Sequence, residues 1–547
     1  MRLWTTRPVG RGRIDVASRR VNLGAVLLQA ANTDPDGVAL VAPDRVTFSD
    51  LAVMSGRLAA HLATRIQPGD RVALLAGNEL SFVQAYLATL LAGGVAVPLN
   101  GTSPSLELAG ELAMVEPALV IASPSYSDLA RRACTQCDTE VAVFVNDVDG
   151  ANDLPAEPMQ PVERASDDLA VLLFTAGTAG APKPAMLTHG SLLANLEQMQ
   201  AHPGLRVGSD DVALGVLPLF HVFGLNVVLG LTLMAGGGVT LVDHFHPTET
   251  LARLRADGVT VVAAVPAILE AWQALDATAA PDDAFARVRL CVSGASPLAP
   301  ELVAAMHARF ALEVHDGYGL TEASPVVTTS AIAAKPRAGS VGPPLPGVDV
   351  RLVDTDGNDV LEGDPGEILV RGPNVFAGYW NDPEATALVL GADGWLHTGD
   401  VGVADEKGWL SLVERAKDVV IVSGFNVYPG EVEHVLAQHA DVADVAVVGE
   451  PHPRTGETIV AYVVAKEGTH PDPVELLRHA GRRLARYKLP TRVELVDELP
   501  RSFAGKLLRR ELSPPSSSAA ALSAGTSVPG GSTTDERFTP DATTKPA

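Results

Sequence analysis

The chain has 547 residues, more than one hydrophobic core organises, so at least two domains are expected. Hydrophobic residues make up 47% and charged residues 19%, the balance of a globular protein. A formal net charge of −24 excludes a nucleic-acid binder, which needs positive charge to meet phosphates. In chain order, residues 1–22 are an arginine-rich leader without an apolar stretch, so they do not read as a secretory signal, and a flexible segment is expected. From Leu23 to about Val242, apolar runs alternate with helical patterns. "DRVALLAG" (70–77), "AVPLN", "PALVIAS" (117–123) and "VAVFVND" (141–147) are buried strands, and "SFVQAYLATLLAGG" (81–94) is a helix ending on glycines. Such βα alternation predicts a parallel sheet covered on both faces, and it continues through "VTVVAAVPAILEAWQAL" (259–275) and "RVRLCVSGASPL" (287–298). The apolar segment 212–242 is broken by Pro218, His221, Asn226 and three consecutive glycines, which reads as buried core around a pocket and not as a membrane span.

After about Ser340 the texture changes. Strands punctuated by "DG", "GD", "PG" and "GP" predict antiparallel hairpins forming a small barrel, followed by a compact α+β unit to about Leu512. Residues 513–547, rich in Ser, Thr, Pro, Gly and Ala, bury too little to fold and are expected to be disordered. Cys134, Cys137 and Cys291 are too few for a disulfide framework. "CTQC" has no second Cys/His pair near it, so reduced thiols of a cytosolic protein are expected.

The segment "LLFTAGTAGAPKPAMLTHG" (172–190) is a strand, then a hydroxyl- and glycine-rich loop, a lysine and a helix. It is not a Walker A loop, whose lysine directly follows the second glycine. Thr175, Gly177, Thr178 and Gly180 let the backbone close around an anion, and Lys183 adds a point charge. On this stretch alone a structural glycine turn competes evenly. Further along stand "SGASPL", "DGYGLTEASP" (316–325), "GWLHTGDVG" (394–402), "ERAKDVVIVSGFNVYPGEVE" and "PRSFAGKLLRREL" (500–512).

Together, in this order, these stretches resemble the adenylate-forming superfamily of acyl-CoA synthetases, luciferases and peptide-synthetase adenylation domains, over about Leu23 to Leu512. The resemblance implies an α/β plus α+β protein: a large N-terminal adenylation domain of layered βα sheets with a small antiparallel barrel (23–415), a hinge at 416–418 on Lys417, and a small mobile C-terminal domain (419–512). It implies that Thr175, Gly177, Thr178, Gly180 and Lys183 hold the β and γ phosphates of ATP. Adenine would lie on Gly294 and Ala295 under Tyr318, with Asp400 and Arg415 on the ribose. Thr321 would bond the α-phosphate, Glu322 would bind Mg2+, and Lys506 would be the catalytic lysine. Gly424 would border the coenzyme A tunnel. His221 and Gly319 would line the acyl pocket, although His221 also reads as a satisfied core histidine.

The expected activity is ATP-dependent conversion of a carboxylic acid, preferentially a medium- or long-chain fatty acid, to acyl-AMP and then to its CoA thioester. The competing readings are transfer to a carrier protein, an aryl-acid CoA ligase, and a non-catalytic acyl or nucleotide binder. ATP, Mg2+ and CoA are the implied cofactors; no transmembrane segment is expected, and a peripheral membrane contact and the oligomeric state stay open. The loop departs from the superfamily's usual "TSGTTGxPKG" at Ala176, Ala179 and Pro184, losing two hydroxyls. Each charge-assisted bond is worth about 1.5–3 kcal/mol. The double substitution Ala176→Ser with Ala179→Thr is therefore expected to tighten ATP binding by about tenfold or more; an unchanged affinity by calorimetry would show that the hydroxyls play no part.

Overall fold

The structure, a computed structural model, describes residues 20–41, 45–137, 141–147, 154–176, 182–276, 278–281, 283–332, 335–337, 339–354, 356–415, 420–427, 429–500, 509 and 512, with backbone alone at Ala176, 413–415 and Asn426. The expected disordered tail, most of the leader and the hinge at 416–418 lie outside these residues. Described contacts begin at Arg20, which bridges to Ala165. Asn22 then caps the first helix by accepting from the Gly24 N–H at 2.9 Å.

Two largely parallel sheets build the large domain. The first runs, edge to edge, through Ala142–Val145, Leu119–Ala122, Arg71–Leu75, Val95–Pro98, Leu169–Ala176 and Pro182–Thr188. Its last pair is the one antiparallel hairpin, and it carries the phosphate-loop segment. The second has eight strands in the order Val326–Thr329, Val314–Gly319, Leu290–Ser293, Val261–Ala264, Val212–Gly215, Gly238–Leu241, Val38–Leu40 and Val46–Thr47. The inner strands of both sheets read as unbroken apolar runs because helices cover both faces.

The expected antiparallel unit is a four-stranded meander, Asp349–Val353, Gly366–Arg371, Leu396–Ala404 and Leu410–Arg415. The small domain is a five-stranded sheet in which Gly456–Ala465 pairs with Val442–His452, Val420–Val422 and Arg492–Leu495. Helices Pro429–Ala437 and Pro473–Gly481 close its own core around Val432, Leu436, Val463 and Leu476. No helix among the described residues is long and apolar enough to cross a membrane.

The segment 212–242 resolves into a strand, π-helical turns over Phe223–Gly230, a short α-turn Leu231–Met234 and a second strand. A π-helical stretch is uncommon and concentrates at functional sites. Asn226 fixes it: its Nδ2 donates to the carbonyls of Ser324 at 2.8 Å and Leu192 at 3.3 Å, tying these turns to two other elements.

At the far side of the second sheet, Trp272 is fully buried between Phe245 and Phe285, with ring centroids 5.8 and 5.4 Å away at near-perpendicular angles. Trp272→Ala should lower the unfolding free energy by about 3–5 kcal/mol in denaturant titration. Trp272→Phe should cost less, because the indole Nε1 has no partner among the described residues and its loss strands no other group.

Candidate active site

The site forms where parallel strands of the eight-stranded sheet end. Register sets Ala264 beside Ser293 and Ser293 beside Asp316, so the segments that follow each strand emerge side by side. In such sheets, ligands bind beyond the carboxyl ends of the strands. Gly294 and Ala295 follow Ser293 directly. Ala295 holds a left-handed backbone at φ 67°, a costly conformation for a residue with a side chain and one that concentrates at ligand sites. A Cβ on Gly294 would sit 3.4 Å from the Phe223 ring and 3.5 Å from the Gly317 carbonyl oxygen. The surface there is therefore bare backbone under an aromatic wall. Gly319 cannot be replaced cheaply either, since a Cβ would lie 2.2 Å from the Pro325 carbonyl oxygen.

Tyr318, buried on the strand Val314–Gly319, reaches across to the meander. Its hydroxyl donates to Asp400 Oδ2 at 2.7 Å. Burial first, and then the Asp400 charge, hold the phenol proton far above the ordinary tyrosine range. The residues expected for adenine and ribose thus share one hydrogen bond although they are far apart in sequence. Asp400 is directly opposite Arg415 in the antiparallel ladder, which places both ribose candidates at one register position.

Thr321 and Glu322 sit on the single turn Thr321–Ala323 after Leu320. Glu322 Oε1 accepts the Tyr379 hydroxyl at 2.8 Å, and burial raises the Glu322 pKa against the opposing pull of that bond. The same Tyr379 ring lies 5.7 Å from Lys183 Nζ, within cation–π reach. Lys183 Nζ in turn donates to Asp382 Oδ2 at 2.7 Å. Its strand pairs Thr175 with Lys183, and the Thr175 hydroxyl donates to the Lys183 carbonyl at 3.3 Å. Both ends of the loop are therefore held beside Glu322. Gly177, Thr178 and Gly180, at the loop's centre, lie outside the described residues, as do Lys417 and Lys506.

Glu322 fits a magnesium ion better than a structural metal. Among the described residues no group of three or more His, Cys, Asp or Glu side chains is arranged to hold a metal ion. A single sheltered carboxylate with one hydroxyl donor suits a cation that keeps waters and phosphate oxygens in its shell.

His221 lies between the strand Val212–Gly215 and the π-helical turns, where its Nδ1 accepts the Phe223 N–H at 3.2 Å. Burial lowers its pKa to about 4, so it is a neutral ring at pH 7. Gly424, on the small domain, has φ 85° and a virtual Cβ 2.9 Å from Val265, the residue after Ala264. The small domain's turn thus meets the large domain at one of the site's strand ends.

The sequence reading did not single out Phe223, Asp316, Tyr379 or Asp382, and it took Asn226 only as a break in the apolar segment 212–242. Asp382 carries a visible signal, an acidic residue before Pro383 that caps the helix Pro383–Val389 by accepting from the Ala385 N–H at 2.8 Å. Tyr379 and Phe223 carry none, because an aromatic residue beside turn residues also reads as core.

Comparison with known proteins shows the family. Residues 27–380 match the family model described as AMP-binding enzyme, and residues 431–506 match that of the AMP-binding enzyme C-terminal domain. The chain is 38% identical over 497 residues to a feruloyl-CoA synthase of an Amycolatopsis species, covering 90% of this chain and 99% of that protein. It is 33% identical over 528 residues to a long-chain-fatty-acid–CoA ligase of Bacillus subtilis (strain 168), covering 90% and 94%. The solved structure of ATP-bound MatB from Rhodopseudomonas palustris superposes with a TM-score of 0.68 at 34% identity, covering 90% of this chain and 98% of that one. The chain belongs to the AMP-binding enzymes of the adenylate-forming superfamily, and by class it is an AMP-forming acid–thiol ligase. ATP and CoA are the substrates of that class.

Asp316 gives a pH test. Burial pushes its carboxyl up to about 7, although the Gly317 N–H donates to its Oδ1 at 2.9 Å. A folded pKa above the unfolded value means stability present at low pH and lost as pH rises through about 7. Relative to wild type, Asp316→Asn should gain about 2 kcal/mol of unfolding free energy between pH 5 and pH 8. Parallel curves for the two proteins in a pH series of denaturant melts would contradict this.

Proposed function

We propose that this enzyme activates an apolar carboxylic acid, in the first place a medium- or long-chain fatty acid, to acyl-AMP, and passes the acyl group to the thiol of coenzyme A. The observation that carries the reading is the pair of contacts Tyr318–Asp400 and Tyr379–Glu322, which gathers the nucleoside and phosphate candidates at one set of strand ends.

The acid is already ionised at pH 7, so the first step needs no general base. One carboxylate oxygen forms a bond to the α-phosphorus, the bond to the bridging oxygen breaks, and pyrophosphate leaves. The barrier is repulsion between anions, so the protein's part is positioning and electrostatics. In this reading Thr321 and Lys506 meet the charge growing on the α-phosphate oxygens, and the loop with Lys183 holds the β and γ phosphates. Lys183 must exchange Asp382 for phosphate on the way, and the exposed side of that pair allows it. Glu322 is the group that would hold Mg2+, which when bound neutralises charge on the departing pyrophosphate. In the second step the CoA sulfur attacks the acyl carbon, AMP leaves and the thiol proton passes to solvent. The Gly424 turn against Val265 supports a route for the thiol at that side of the site.

The fatty-acid preference is supported by the apolar packing behind the π-helical turns, where Met199, Val227, Leu231, Val261 and Val292 surround a void of about 30 Å³ with no carboxylate for a substrate amine. That void is too small for an acyl chain, so the preference rests on apolar character and not on a preformed tunnel. A second reading, an aryl acid, is favoured by the 38% identity to a feruloyl-CoA synthase, with the Phe223 ring packed on the backbone at Gly294 as an aromatic wall of the site.

A panel of fatty, aryl and amino acids with ATP, Mg2+ and CoA separates these readings when AMP, pyrophosphate and thioester are measured individually. We expect thioester with fatty acids and a loss of roughly a hundredfold or more in pyrophosphate formation in Lys506→Ala. Phe223→Ala should raise KM for aryl acids about tenfold and leave long-chain acids unharmed. Thioester with aryl acids alone would select the second reading, and acyl-AMP without thioester would indicate a different acceptor.

A further inference from the structure

A buried charge cluster joins the two domains at a place the chemistry above does not use. Lys488 Nζ donates to Glu107 Oε1 at 2.6 Å and to Glu431 Oε1 at 2.8 Å. Glu107 lies on the large-domain helix Ser105–Val115, whereas Glu431 and Lys488 belong to the small domain. The side chains of Lys488, Glu107 and Glu431 are only 8%, 6% and 3% exposed, so this is not a solvated surface pair. Removing one partner of such a pair leaves the other charge buried and uncompensated, a far larger penalty than at an exposed bridge. Glu111, one helical turn after Glu107, is also buried and faces the same charges.

The cluster connects mechanically to the site. Tyr487, next to Lys488, stacks on Phe425 with ring centroids 4.4 Å apart and planes at 26°. Phe425 follows Gly424, the residue whose turn abuts Val265. A short run of packed groups therefore links the ion pair to the small-domain turn beside the strand ends.

We propose that Lys488 is the pin of an interdomain latch: by bridging Glu107 on the large domain and Glu431 on the small one, it holds the small domain where the Gly424 turn meets Val265. The latch follows from the interface alone; its kinetic consequence, support of thiol transfer and not of adenylation, rests on the two-step function proposed above.

The charges do not balance, and this gives the latch a pH dependence. Three carboxylates, Glu107, Glu111 and Glu431, face one ammonium, with the Tyr487 phenol beside them. One oxygen of each carboxylate is buried without a partner among the described residues. Burial above all, and then Glu107, pushes Glu111 up to about 8, and burial also raises Glu431. Burial works against the charge of Lys488 too, but Tyr487, Glu431 and Glu107 outweigh it and keep the ammonium charged. Docking thus binds a proton that the separated domains release. The docked arrangement is favoured at low pH and weakens as pH rises through about 8.

The test uses the full chain and two readouts, hydrogen exchange by mass spectrometry and separate rates for pyrophosphate and thioester formation. In Glu107→Gln, amides of 105–115 and 486–489 should exchange about tenfold faster or more, while the strand Leu119–Ala122 keeps its protection. Thioester formation should fall about tenfold with pyrophosphate formation changed less than about twofold. Lys488→Met approaches the pair from the other domain, and the double variant should be no worse than the worse single variant. In wild type the protection, corrected for intrinsic exchange, should decline from pH 6 to pH 9, and Glu111→Gln should flatten that decline. Unchanged protection in both single variants overturns the latch. Faster exchange with an unchanged thioester rate overturns its kinetic role and leaves the docking contact standing. A wild type that yields no pyrophosphate with any acid defeats the functional reading, and the exchange data still decide the latch.

Discussion

The whole site depends on the register of the parallel strands in the eight-stranded sheet. Because Ala264, Ser293 and Asp316 are neighbours across that sheet, the segments after them leave on the same edge. Val265, Gly294–Ala295 and Gly317–Glu322 then converge without any long-range side-chain contact having to gather them. A shift of one residue in any of these strands would turn the backbone surface at Gly294 away from Phe223 and move Tyr318 off Asp400. The fully buried, uniformly apolar inner strands make such a slip expensive, which is how a hydrophobic core fixes the geometry of a polar site.

On this frame, Tyr318 and Tyr379 do parallel work. Each is an aromatic ring carrying one hydroxyl, and each donates it to a carboxylate that we propose meets nucleotide or metal. The rings exclude water and the hydroxyls aim the carboxylates, so Asp400 and Glu322 are held in place before any ligand arrives. Such preorganisation suits a reaction whose main obstacle is repulsion between anions, since donors fixed in advance need not reorganise at the moment of bond formation. Lys183 is held differently, by Asp382 at a half-exposed position where a competing phosphate can displace it.

The small domain has its own core, and it meets the large one through the Gly424 turn and the buried charges around Lys488. A charged contact between two domains with separate cores is more easily reversed than an apolar one, because both partners regain water on parting. That property suits an interface that must form and dissolve within a catalytic cycle, as in a class that takes its two steps with two acceptors.

What the sequence determined by itself was local or linear. Alternating apolar runs gave the two βα sheets, the turn-rich stretch after Ser340 the antiparallel unit, and ordered short motifs the family, with Thr321, Glu322, Tyr318 and Asp400 as candidate site residues, since neighbouring residues along the chain carry those signals. Only the tertiary structure decided which distant residues touch. Tyr379 and Asp382 complete the surroundings of Glu322 and Lys183 from far along the chain, Phe223 meets Gly294 and Asn226 ties to Leu192 and Ser324 from a π-helical segment with no period to betray it, and Lys488 finds Glu107 across a domain boundary. Periodicity and motif spacing report the backbone's nearest neighbours. Pairing between remote side chains is set by strand register and domain docking, which no local pattern encodes.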